Sequence, residues 1–193
     1  MTHPTLERIL DCAHGLLAMH GYSGFSYADV ARLAAIGKAT VHHHFPAKTD
    51  LAVAVVQRYR ARAGALLGAA SLAAPSGRAR LEAYVAYWRD CIRAQEAPFC
   101  VCALLAAEMP SLPQPLQAEV TAHFRALQSW LAGAVRLGIA DGSLRPVAAS
   151  ERLGAELMAS VHGAMLSARA LDDPGVFDML SARMLVAMTE IRP

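Results

Sequence analysis

With 193 residues, 55% of them apolar and 18% charged, the chain can bury a sizeable core and is too apolar to be disordered. No run of about 18 uncharged apolar residues is present, so no membrane-spanning helix is expected. A net charge of +2 excludes a general polycation.

Residues 1–11 lack the basic start and apolar stretch of an export signal, so a cytoplasmic location is expected. Four cysteines, Cys12, Cys91, Cys100 and Cys102, then read as small buried hydrophobes rather than disulfides. Charge is unevenly spread. Up to residue 63 there are seven bases against four acids and six of the eight histidines; the remainder carries eleven bases against twelve acids. That is a faint footprint of an anionic partner.

Helical spacing runs through the whole sequence and strand alternation is nearly absent. Leu6, Ile9, Leu10, Ala13, Leu16 and Leu17 form one apolar stripe, and Gly21 ends that helix. Ser26, followed three residues on by Asp29, approximates a capping box at the head of "YADVARLA". Ala35, Ile36 and Gly37 make a tight connection to "KATVHHHF", which Pro46 stops. Lys48 opens a long helix that ends near Leu72 to Pro75.

After "PSG" at 75–77, Leu81, Tyr84, Val85, Trp88 and Ile92 share one helix face, and residues 96–98 break it. A nearly all-apolar helix is expected from about Cys100 to Met109. Leu116, Val120, Phe124, Leu127, Leu131 and Val135 mark a long one. Two last helices are expected at 149–171 and 174–191, split by "DDPG". The sum is an all-α protein of about nine helices, with a short-helix domain at 1–50 and a bundle at 51–193.

The run His42-His43-His44 admits several chemistries. Consecutive helical residues are turned about 100° apart, so the three rings fan outward and cannot converge on one ion. Metal-binding helices use i, i+3 or i+4 spacing. No Gly-rich phosphate loop or nucleophile elbow accompanies the run, so nothing points to catalysis. A helix, a three-residue turn and a second helix is the spacing of a helix-turn-helix, whose second helix enters the major groove of DNA. Lys, Thr and His can all touch phosphates or base edges. Spacing alone leaves this level with an ordinary helical hairpin bearing solvated histidines.

The stretch "ILDCAHGLLAMHGYSGFSYADVARLAAIGKATVHHHFPAKTDL", residues 9–51, resembles the DNA-binding domain of the TetR family of transcriptional regulators. The resemblance rests on Gly21-Tyr22, Val30-Ala31, Lys38-x-Thr40 and "His44-Phe45-Pro-x-Lys48…Leu51". It implies an N-terminal three-helix DNA-binding domain followed by a helical ligand-binding and dimerisation domain. Three positions depart from the family's habit. Ala35 replaces the usual turn glycine, Gly37 a small hydroxyl cap, and His42 a common tyrosine.

By this resemblance Ser26 and Tyr27 lie near phosphates, and Lys38, Thr40, His42 and His43 form the reading surface. Lys48 meets a phosphate at the start of the next helix. Its removal would weaken binding to all sequences and flatten the salt dependence. The implied partners are double-stranded operator DNA, a second copy of the chain and a small effector, apolar or aromatic. The implied action is that of a repressor which the effector releases from a palindromic operator. No enzyme activity, cofactor or metal is expected.

The dimer surface is expected from Leu153, Leu157, Val161 and Met165 on one helix, and from Phe177, Leu180, Met184 and Met188 on the next. Effector-pocket candidates are Trp88, Cys91, Phe99, Cys100 and Met109, together with Phe124, Trp130, Met158 and His162. Some members of the family respond to electrophiles through a cysteine at the start of the helix that begins here with Cys100. That makes thiol sensing an alternative, though no base stands at i+3 or i+4. An all-helical enzyme or metal-binding bundle is the rival of another class. It would need two carboxylate–histidine pairs, and only Glu119 and His123 supply one.

Overall fold

A computed structural model describes residues 4–94, 99–146 and 149–189. The expected break at residues 96–98 lies outside them. Among the described residues there are nine α-helices, one 3-10 turn and no strand. They are α1 (Pro4–His20), α2 (Tyr27–Leu33), α3 (Lys38–His44), α4 (Lys48–Ala73), α5 (Gly77–Ala94), α6 (Val101–Ala107), α7 (Gln114–Ala140), α8 (Ser150–Leu171) and α9 (Pro174–Thr189). The all-α architecture and helix order follow the apolar stripes. The helix expected from Cys100 is shorter than its apolar run, because α6 stops at Ala107 and Met109–Ser111 tighten into the 3-10 turn.

Two compact units emerge. One joins the described residues up to Arg62 with Cys100–His123; the other joins Ala63–Phe99 with the chain from Phe124 onward. A boundary at residue 50 therefore falls inside the first unit.

In the first unit most of the α1 stripe is buried, namely Ile9, Leu10, Ala13, Leu16 and Leu17, while Leu6 in the first turn is half-buried. Leu51, Ala52, Val55 and Val56 in the first turns of α4 are buried as well. The capping box forms. The Asp29 amide donates to Ser26 Oγ, and Asp29 Oδ2 accepts from the Ser26 amide at 2.9 Å. These Ser26 hydrogen bonds hold the Asp29 carboxyl below its usual range.

The end of α2 is strained. Ala35 has φ 49°, in the left-handed region that a Cβ disfavours. The hydrogen bonds are those of a glycine-type helix stop: Ala35 N–H to Arg32 O and Ile36 N–H to Ala31 O. So the residue that departs from the family's glycine occupies the position that needs one. Ala35→Gly should raise stability by about 1 kcal/mol, or roughly 2–4 °C in Tm. Thermal unfolding at fixed protein concentration reads this. An unchanged Tm would mean that the turn carries no strain.

In the second unit Leu81, Tyr84, Val85, Trp88 and Ile92 of α5 are buried together, as their spacing predicts. Leu131 and Val135 of α7, Leu157, Val161 and Met165 of α8, and Phe177 of α9 are almost fully enclosed. The first amides of α5 are satisfied from the loop after α7. Gly77 N–H donates to Asp141 Oδ2 at 2.8 Å and Arg78 N–H to Ser143 Oγ at 3.2 Å.

Candidate nucleic-acid interface

α3 is a seven-residue helix with one inward side chain, Val41, and Phe45 packs inward just beyond it. Lys38, Ala39, His42 and His43 are exposed, while Thr40 and His44 are half-buried. The helix thus presents a cation, two imidazoles and one hydroxyl on its outer side. Nothing caps it by side chain: Gly37 holds the N-cap position with extended backbone.

Two expected contacts turn out differently. Tyr27 is buried, and its hydroxyl donates to the Phe45 carbonyl at 2.7 Å. Burial pushes that phenol up to about 12, with Asp50 and Tyr22 adding to the effect. Its ring stands edge-on to His42, centroids 4.5 Å apart. Tyr27 therefore fastens α2 to the end of α3 and orients His42, and its hydroxyl is not offered to a phosphate. Ser26 stays exposed, though its hydroxyl is engaged with Asp29 Oδ2 at 2.8 Å.

Lys48 is the second. Its ammonium donates to the Phe25 carbonyl at 2.5 Å and lies over the rings of Tyr22 and Phe25. Desolvation there lowers its pKa, against the pull of Glu108 and Asp29. Lys48 thus braces the α1–α2 connection, and its charge is turned into the protein. The two lysines of the chain have separate jobs, and Lys38 is the exposed one.

Other bases of the first unit are also answered internally. Arg58 pairs with Glu7 and Asp11, each at 2.8 Å, and is largely buried. Arg60 pairs with Glu119, which also accepts from Gln57. Of the seven bases up to residue 63, Lys48, Arg58 and Arg60 are thus engaged inside the unit, while Arg8, Arg32, Lys38 and Arg62 stay exposed. With Glu119 so engaged and His123 beside Cys100, the Glu119–His123 spacing serves two different contacts. Among the described residues no group of three His, Cys, Asp or Glu is placed to hold a metal ion.

Sequence spacing also missed the surroundings of Cys100. Its Sγ, wholly buried, accepts from the Tyr59 hydroxyl at 3.2 Å and lies 3.8 Å from His123 Nε2. His14 stacks on Tyr59, centroids 5.8 Å apart, and is held below its usual pKa, chiefly by burial. A search for partners at i+3 or i+4 could not find residues 41 and 23 positions away.

Of the pocket candidates, Cys100 and Met109 belong to the first unit and the rest to the second. There Phe124 meets His162 edge-on at 5.3 Å. Trp130 donates to Ser71 Oγ at 2.9 Å, which fits a packing role. Trp88 Nε1 and His162 Nε2 are buried without a hydrogen-bond partner. A cavity of about 120 Å³ opens between α8 and α9, lined in part by Leu153, Leu157, Met184 and Met188. It is smaller than a typical ligand site.

The expected dimer set needs correction. Leu157, Val161, Met165, Phe177 and Met188 have almost no exposed surface in the single chain. They close the core of their own unit and cannot be a partner-facing surface. Leu180 remains exposed, and Leu153 and Met184 are half-buried.

The comparisons with known proteins agree with this geometry. A family model described as "Bacterial regulatory proteins, tetR family" matches residues 9–55, and "Tetracyclin repressor-like, C-terminal domain" matches residues 77–184. The chain belongs to the TetR family. It is a TetR-family transcriptional regulator with a DNA-binding helix-turn-helix formed by α2 and α3. The chain is similar to a TetR-family transcriptional regulator from Agrobacterium tumefaciens, with 42% identity, 96% and 98% of the two chains covered, and a TM-score of 0.94. A TetR regulator from Legionella pneumophila matches at 25% identity, over 98% and 99% of the chains, with a TM-score of 0.85. The reduced form of NemR from E. coli shares the fold at 21% identity, over 93% and 95%, with a TM-score of 0.80. A search of the curated proteins gives no match. No described helix is long and apolar enough to cross a membrane.

Proposed function

We propose that the protein is an effector-responsive repressor that reads a palindromic operator as a homodimer. The outward face of α3 carries this reading: Lys38, His42 and His43 stand exposed on a short helix held from behind by Val41, Phe45 and Tyr27. One such helix reads only a few base pairs, so useful affinity calls for two, set about one helical turn of DNA apart. Selection of bound duplexes from a random pool tests this directly. An inverted repeat should be enriched; no enrichment, or a lone half-site, would defeat it.

Within that reading the residues divide by task. Lys38→Ala should weaken binding to all duplexes and lower the log–log salt slope by about 1, as for a lost phosphate contact. Thr40 or His43 substitutions should change base preference at one position of each half-site. Lys48→Ala should act first on stability, given its seat on the Phe25 carbonyl.

The effector site is assigned to the second unit, around Trp88, Phe124 and His162. The unanswered Trp88 and His162 nitrogens are the polar atoms that a largely apolar or aromatic molecule with a hydrogen-bonding group would meet. Such a molecule releases the operator only by favouring one arrangement of the reading heads over the other.

A second reading is favoured by one observation, the Tyr59 hydroxyl and His123 ring around Cys100. Here the Cys100 sulfur adds to an α,β-unsaturated carbonyl. An S–C bond forms, and the thiol proton ends on the carbon next to the carbonyl. The thiol has no exposed surface, so labelling should be slow and limited by opening. Release of DNA by an electrophile that persists in Cys100→Ala would dispose of it.

A further inference from the structure

Glu108 stands just past the end of α6 and is half-buried. α1 closes at Gly21 with φ 71°, a left-handed turn that leaves the next amides pointing outward. Glu108 takes both of them. Its Oε1 accepts from Tyr22 N–H at 3.1 Å and its Oε2 from Ser23 N–H at 3.3 Å. The approach is close: a Cβ on Gly21 would lie 1.7 Å from Glu108 Oε1. The connection is braced on its other side by Lys48 at the Phe25 carbonyl and by the Tyr22 hydroxyl at Thr49 Oγ1. α2 starts at Tyr27, a few residues on.

We propose that Glu108 is a positioning residue for DNA reading. Its carboxylate ties the end of α6 to the α1–α2 connection and so holds the base from which α2 and α3 start. The carboxylate acts through the connection and touches no nucleotide. This inference rests on the DNA-binding reading above.

The test compares wild type, Glu108→Gln and Glu108→Ala. Four quantities are read: hydrogen exchange at the Tyr22 and Ser23 amides, affinity for the selected duplex, affinity for a random duplex with its salt slope, and Tm. In Glu108→Ala those amides should exchange faster, and selected-duplex affinity should fall roughly 2- to 30-fold. Random-duplex affinity and salt slope should hold, because no phosphate contact is removed. Glu108→Gln keeps one acceptor and should fall between. Faster exchange with an unchanged selected-to-random ratio would overturn the proposal. So would both affinities falling together with Tm, the mark of general destabilisation. If Glu108→Ala does not fold, the isosteric Gln variant decides by the same readings. If wild type selects no duplex, the DNA reading fails by itself, while the exchange data still decide whether Glu108 holds the connection.

Discussion

Leu166→Arg is expected to leave a folded monomer that has lost its operator. In the single chain Leu166 is half-exposed, so the change costs the unit's own core little. It sits in a row with Ala159, Gly163 and Ala170, all exposed and spaced four, three and four apart along α8. α9 adds exposed Met179 and Val186 seven residues apart. Small side chains with scattered large apolar ones make a surface that another copy can approach closely. A guanidinium placed there must be desolvated without a partner, a cost of several kcal/mol. Losing the second reading head removes the gain from tethering, about 10²–10⁴-fold in operator affinity. Light scattering at micromolar concentration should report a monomer with unchanged helix content. A variant that stays dimeric would place the dimer surface elsewhere.

Gly77→Ala should be the most damaging single-methyl change in the second unit. A Cβ there would lie 2.1 Å from the Gly138 nitrogen and 2.3 Å from the Ala134 carbonyl oxygen. These are backbone atoms of α7, which cannot turn aside as a side chain could. The start of α5 would be forced off α7, and the Gly77 amide would leave Asp141. Overpacking of this kind costs about 3 kcal/mol, or roughly 6–12 °C in Tm. Thermal unfolding measures it. A Tm within about 2 °C of wild type would show that the close approach yields freely.

How legible these features were depended on how local their causes are. The α1 and α5 stripes each show one face, so periodicity alone assigned their buried residues. The Ser26–Asp29 box is three residues wide and was readable for the same reason. α8 and α9 are apolar on more than one side. Leu157, Val161 and Met165 look as fit for a partner as Leu166 does, and only the packed chain separates core from surface. Tyr27 and Lys48 find their acceptors 18 and 23 residues away, and both carbonyls belong to residues whose spacing carries no sign of it. Gly77 reads as punctuation between helices, yet it is a contact between two of them. The family resemblance supplied the function that the pattern left open, and its departure at Ala35 marked the one strained turn residue between α2 and α3.

The inward seat of Lys48 bears on how the regulator finds its target. With Arg58 and Arg60 held by carboxylates as well, three of the seven bases up to residue 63 are withheld, and Arg8, Arg32, Lys38 and Arg62 are the exposed cations left to grip arbitrary duplex. Attraction that ignores sequence scales with the number of phosphates neutralised. Each cation withheld in this way shortens the time that the molecule spends stranded on the millions of competing sites in a chromosome. A modest number of copies per cell could then keep one control region occupied, and those copies would be quickly free again once released.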